Sequence, residues 1–259
     1  MSLATLKTKV QKLINKAMFS NIYEQMFTND DIDLIVPDNI TVIDTANYAP
    51  NTMVSASGKN VEQIASEFFI QSTLLETINF PKLKSVGNNA FNQCDALTEI
   101  NAPKLVSVGN NAFNQCGLIT INFPNLTTME DSAFSSCADL TEINTPNLVS
   151  IGANVILTAK KVTKMTVGAL NETSNVSFRQ VAKGTNGALT ELYVGQGTSA
   201  DLYLQYSEKY PQSILHEIIE NLADRTGKTA GIFNVGDKNL EKIDSEHKAM
   251  LESKNWTYK

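Results

Sequence analysis

The chain has 259 residues, 42% hydrophobic and 19% charged, with 21 Lys+Arg against 27 Asp+Glu and a formal net charge of -6. That composition suits a folded protein rather than a disordered one, and its acidic balance gives no global attraction to phosphate backbones or anionic lipid, so neither nucleic acid nor membrane is expected as a partner. No apolar run reaches the roughly 18 residues a membrane-spanning helix needs, and the three cysteines make neither an even disulfide set nor a metal-ligand cluster.

The first segment covers residues 1–30. Leu3, Leu6, Val10, Leu13 and Ala17 step alternately by three and four positions, which predicts a helix whose apolar stripe seeks another apolar surface. At about two heptads it is too short to be a stable coiled coil alone. It therefore either self-associates with help from the body or docks on the first coil as a cap, and Leu3, Leu6, Val10 and Leu13 are its candidate assembly positions. Lys7, Lys9, Lys12 and Lys16 read as a solvated helix face. Residues 1–20 lack the continuous apolar core of a signal peptide.

A repeat dominates residues 31–205. Leu75, Ile78, Pro81, Leu83, Val86, Ala90, Phe91 and Cys94 recur as Leu97, Ile100, Pro103, Leu105, Val108, Ala112, Phe113 and Cys116. They recur again from Leu118 to Cys137 and from Leu140 to Ile151. The isoleucines Ile78, Ile100, Ile121 and Ile143 stand 22, 21 and 22 apart. Backward, Leu34–Ile43 fits the template; forward it continues through Met165, Leu192 and Phe233, where Val-Gly replaces the proline. About nine coils of ~22 residues result, because one such unit cannot bury its apolar side without a neighbour.

Each position has a physical role. Leu, Ile and the residue two past Ile point inward from a short strand. Pro81, Pro103, Pro124 and Pro146 end that strand, having no ladder donor. Gly87, Gly109 and Gly152 permit the next bend. Asn-Asn-Ala-Phe-Asn-Gln-Cys predicts one short helical turn, capped by asparagine, with Ala, Phe and Cys meeting the core. Cys94, Cys116 and Cys137 read as buried wall material rather than disulfides.

The unit Leu-x-x-Ile-x-x-Pro-x-Leu-x-x-Val-Gly-x-x-Ala-Phe-x-x-Cys resembles the BspA-like, or Treponema pallidum type, leucine-rich repeat of bacterial and protist surface proteins. The resemblance covers about residues 31–200 and implies an α/β repeat, a right-handed leucine-rich-repeat solenoid, used for adhesion to host or extracellular ligands. In residues 206–259, Ser213–Ala223 predicts a helix presenting Ile214, Leu215, Ile218 and Leu222, stopped by Gly227 and followed by a Phe233–Val235 strand. A last helix is capped by Asp244 with Glu246 in its first turn. This α/β segment is the C-terminal cap a solenoid needs. Residues 6–17, Val235–Leu240 and Asn255–Lys259 are similar to the ends of tail-associated structural proteins of phages and prophages of low-GC bacteria, with Asn255 where those proteins carry glycine.

No catalytic constellation is visible. His216 and His247 are the two histidines, each inside an expected helix and far in sequence from any cysteine or repeated carboxylate, so neither a nucleophile–histidine pair nor a zinc site is expected. No Gly-rich phosphate loop follows a strand. Glu99 and Glu142 stand about 9.6 Å apart at ~4.8 Å per coil, but Thr77 and Thr120 occupy the alternating places and no aromatic residue flanks them, so a glycosidase is not expected. The exposed strand face instead carries a polar strip: Thr77, Asn79, Glu99, Asn101, Thr120, Asn122, Glu142 and Asn144. It serves either as a self-bonded amide ladder or as a recognition surface for protein or carbohydrate.

The sequence therefore leads to a non-enzymatic protein without cofactor or metal. Its first expected role is a tail-associated virion component of a phage or prophage, assembled in the bacterial cytoplasm through the N-terminal helix, with itself or other virion proteins as partners. The alternative is a BspA-like adhesin at the bacterial cell surface, which requires an export signal upstream.

Overall fold

A computed structural model describes residues 32–36, 38–44, 53–171, 188–205 and 209–259. The expected N-terminal helix, with Leu3, Leu6, Val10 and Leu13, lies outside the described residues.

Each coil turns three corners, and each corner stacks on its equivalent in the next coil. The front strands are β1 (Ile32–Ile35), β3 (Met53–Ser57), β5 (Thr77–Asn79), β7 (Glu99–Asn101), β9 (Thr120–Asn122), β11 (Glu142–Thr145), β13 (Lys164–Val167) and β14 (Glu191–Tyr193). They alternate with two-residue strands β2 (Val42–Ile43), β4 (Gln63–Ile64), β6 (Ser85–Val86), β8 (Ser107–Val108), β10 (Thr128–Met129) and β12 (Ser150–Ile151), which form one six-stranded parallel sheet. The parallel register sets Ile78 beside Ile100 and Ser85 beside Ser107, so equivalent residues stack. The inward positions fill one continuous core: Leu75, Phe80, Leu83 and Phe91 are fully buried, and so are their equivalents Leu97, Leu105 and Phe113.

The third corner differs from the expected helical turn. Among the described residues, helix occurs only in the cap. In five coils the corner holds two residues at positive φ, such as Asn89 (55°) with Gln93 (63°) and Asn154 (58°) with Thr158 (67°). Such a backbone costs a non-glycine residue about 1–2 kcal/mol. Alternate amides repay it by bonding across coils: Asn89, Phe91 and Gln93 donate to the carbonyls of Asn110, Ala112 and Asn114 at 2.8, 2.7 and 2.8 Å. Phe69, Phe91, Phe113 and Phe134 then stack face to face at 4.9, 5.0 and 5.1 Å between centroids. The cysteines lie behind them, unpaired and buried. Their thiols donate to the carbonyls of Phe69, Phe91 and Phe113, and burial pushes the Cys94 and Cys137 thiols up to about 12.

The glycines act differently from expectation too. Gly87, Gly109 and Gly152 do not adopt positive φ; a Cβ at Gly87 would meet the Ser66 backbone nitrogen at 2.5 Å. Glycine there allows close approach of coils rather than a bend.

The 21-residue interval leaves a mark. Strands β7 and β9 belong to separate four-stranded sheets, β1-β3-β5-β7 and β9-β11-β13-β14, whereas β8 and β10 stay paired on the second face. The missing residue is thus absorbed on the front face alone, beside Gly117, whose own Cβ would sit 2.4 Å from the Asp95 carbonyl. Ile100, next to the break, is only half-buried.

Beyond β14 the two faces part. Asn171 donates to Val149, and Ser199 and Ala200 donate to Leu170, carrying the second face on to β15 (Leu202–Tyr203), β16 (Gly231–Asn234) and β17 (Trp256–Tyr258), a parallel three-stranded sheet. The Phe233 strand therefore continues the second face, not the front face of Met165 and Leu192 as the spacing suggested. The front edge is closed by α1 (Gln212–Asn221), which buries Ile214, Leu215, Ile218 and Ile219; Asn221 accepts from Gly197 and its amide donates to Val194. Short α2 (Asp237–Leu240) and α3 (Ser245–Ser253) complete the cap. Asp244 caps α3 through the His247 N–H, as expected.

Candidate functional site

The front face carries the polar strip in register. Thr77 stands beside Glu99 and Asn79 beside Asn101 in one sheet; Thr120 stands beside Glu142 and Asn122 beside Asn144 in the next. Because the strand period is two, the isoleucine between each pair faces the core while its neighbours face outward. Asn79, Glu99, Asn101, Thr120 and Asn122 are exposed; Thr77, Glu142 and Asn144 are half-buried.

The amides bond in pairs, Asn101 Nδ2 to Asn79 Oδ1 at 2.7 Å and Asn144 Nδ2 to Asn122 Oδ1 at 2.9 Å. Among the described residues no amide bond joins Asn101 to Asn122, where the sheet is interrupted. The strip is therefore two amide pairs either side of a gap.

The strip extends beyond the positions read from sequence. Toward one end Ser55 donates to Asp33 at 2.5 Å, and Ser55 and Ser57 stand beside Thr77 and Asn79. Toward the other, Lys164 pairs with Glu142 at 3.1 Å, and that hydrogen bond and charge raise the lysine above its ordinary value. A hollow of about 280 Å³ opens where Ile35, Ser57, Lys59, Asn79 and Pro81 meet, with Lys59 ion-paired to Asp38. Ile35 is 64% exposed there. Sequence reasoning named Asn79 but missed this hollow, whose one signal was an unpatterned Ile beside Val36. A second hollow of about 310 Å³ sits at the short coil, lined by Asp95, Gln115, Gly117 and Asp139.

The cap brings together two histidines that sequence reasoning had set aside as separate. Helices α1 and α3 bring His216 and His247 face to face, ring centroids 3.6 Å apart and planes 15° from parallel. Asp244 lies against both, 2.8 Å from His247 Nδ1 and 3.6 Å from His216 Nε2. The three-residue step from Asp244 to His247 was visible in the sequence; the partnership with His216 depends on helix packing.

Stacked parallel strands on two faces, a stacked turn on the third and an exposed polar strand row make a repeat fold of the leucine-rich-repeat-like kind. The BspA type leucine rich repeat region matches residues 62–183 in six copies. Among solved structures, a T. pallidum leucine-rich-repeat protein aligns at 16% identity and a TM-score of 0.50, covering 73% of this chain and 87% of its own, which shows the shared fold. A Bacteroides ovatus leucine-rich-repeat protein aligns at 16% identity, TM-score 0.45, over 81% of this chain and 54% of its own. A leucine-rich cell surface protein of Faecalibacterium prausnitzii aligns at 12% identity, TM-score 0.30, over 87% and 82%. No curated protein matches the sequence. No helix among the described residues is long and apolar enough to cross a membrane.

Proposed function

We propose that the chain is a non-enzymatic recognition module that offers its front strand face to a protein or carbohydrate ligand. The observation that carries this reading is the registered polar row, with two amide pairs that leave capacity free at the Asn101–Asn122 gap. Amides both donate and accept, and a flat row of them matches the hydroxyls of a sugar chain or the backbone of an extended peptide. The hollow at Ser57 and Asn79 gives that row an apolar end with a charged pair at its rim.

The test uses a glycan array and immobilised extracellular-matrix proteins, probed with the full chain and with Asn101→Ala/Asn122→Ala. Binding that the double substitution abolishes while the melting profile stays intact supports the reading. Binding unchanged by it removes the front face from the role.

The repeat type supports placement as a bacterial cell-surface adhesin. The similarity of the chain ends to tail-associated phage proteins supports a virion part, attached through Leu3, Leu6, Val10 and Leu13. Light scattering on the full chain beside a chain lacking residues 1–20 separates them: an oligomer that becomes monomeric on truncation favours the virion part, and monomers in both favour the adhesin.

A further inference from the structure

Independently of the recognition face, the His216–Asp244–His247 group has the features of a metal site. One ligand atom from each residue lies within 4.8 Å of the others, the one such three-residue group found among the described residues. His216 Nε2 is buried and makes no hydrogen bond; at 3.6 Å the Asp244 Oδ2 is beyond hydrogen-bond reach. An orphaned buried nitrogen calls for a missing partner.

A divalent cation satisfies all three groups at once. Zinc binds imidazole nitrogen at about 2.0–2.1 Å and carboxylate oxygen at about 2.0–2.2 Å, which sets two donors on one tetrahedral ion about 3.3 Å apart. The 3.6 Å between Asp244 Oδ2 and His216 Nε2 lies close to that figure, and the three ligand atoms all lie within 4.8 Å of one another.

The surroundings also match. Asp244 Oδ1 accepts from the His247 backbone N–H at 2.9 Å and lies 2.8 Å from His247 Nδ1, so a metal takes Oδ2 and replaces the side-chain hydrogen bond at Nδ1. The far edge of His247 places Nε2 3.6 Å from Glu220 Oε1, beyond hydrogen-bond reach but on the side from which a carboxylate orients a ligating histidine once the two draw together. We propose that His216 Nε2, His247 Nδ1 and Asp244 bind one divalent transition ion of the zinc class, with the fourth position left to water, so that the ion clamps α1 to α3.

The experiment titrates ZnCl2 into the full chain, free of any affinity tag, by calorimetry, and follows melting of the cap through Trp256, the one tryptophan. One ion per chain and a raised midpoint are expected. His216→Gln and Asp244→Asn, the second retaining a good N-cap residue, should weaken binding by more than the roughly 10–100-fold that loss of an outer-shell partner costs and abolish the rise. A cobalt complex should show d–d bands without thiolate charge transfer. Absence of saturable binding, variants that bind like the parent, or a thiolate band placing the metal on the cysteines would each overturn the assignment. If a variant fails to fold, the ring-proton resonances of the two histidines in the parent decide instead: both move with zinc if the site is real, and neither moves if it is not.

Discussion

Between Ser55 and Lys161 most side-chain hydrogen bonds join a residue to its equivalent one coil away, Gln71 to Gln93, Asn92 to Asn114, Lys84 to Glu62. After Leu202 each contact is used once. Arg225, nearly buried, donates to the carbonyls of Ser199 and Thr229 and lies over Trp256. Lys254 closes the end of α1 by donating to Ile219, Glu220 and Leu222. The repeat is held by translation and the cap by individual side chains. In the repeat a lost contact is one rung among many, whereas in the cap it has no copy.

That contrast can be broken most severely at Phe113. It is fully buried between Phe91 and Phe134, so Phe113→Ala should cost about 3–5 kcal/mol. Because repeats couple to their neighbours, circular dichroism and Trp256 fluorescence should both shift down; a shift in one alone would mean that coils and cap melt independently. Arg225→Ala removes a charged donor from two carbonyls and should cost about 2–3 kcal/mol. Because the cap is coupled to the coils, both midpoints should fall here too, by less than for Phe113→Ala.

The next pair sharpens the repeat side. Gly87→Ala presses a Cβ onto the Ser66 backbone and should lose about 1–3 kcal/mol. Thr158→Gly removes a β-branched residue from a left-handed turn and should gain up to about 1 kcal/mol, offset in part by glycine's freedom in the unfolded chain. Opposite signs in urea melts are the expected outcome.

The smallest effect is with acid. The His247 N–H holds the Asp244 carboxyl, and the Thr226 N–H the Asp224 carboxyl, below the usual carboxylate range. A lowered folded value gives stability that is fully present above the unfolded value of about 3.9 and is lost as pH falls through the folded one. The fluorescence midpoint of the cap should therefore drop below about pH 4. In the coils Glu62, lowered mainly by its hydrogen bond to Lys84, is an exposed pair whose effect salt should erase.

How much of this was legible follows the same division. The period exposed the core, since Leu75, Ile78, Phe91 and Cys94 each recur where burial demands an apolar residue, and the strip fell out as the strand positions left over. The third corner misled because Ala, Phe and Cys at spacings 0, 1 and 4 fit a helical turn and a pair of left-handed turns equally well; Asn89 hints at positive φ, but Gln93, Glu67 and Thr158 do not. The glycines misled because their role is set by the preceding coil, not by their own dihedrals. The cap was read correctly for its helices, whose spacing and Asp244 cap are local. Its strand register and its histidine pair were not, because they depend on packing between segments that share no repeat.

The short coil has a wider consequence. Dropping one residue near Gly117 separates β7 from β9, yet β8 still pairs with β10 and Phe113 still stacks on Phe134. The three corners of the solenoid thus behave as three parallel rails, each able to lose or gain a tie without derailing the others. Length changes on the front rail can be inherited one residue at a time while the other two keep the molecule intact, which gives this architecture a gradual route to new shapes on that one face.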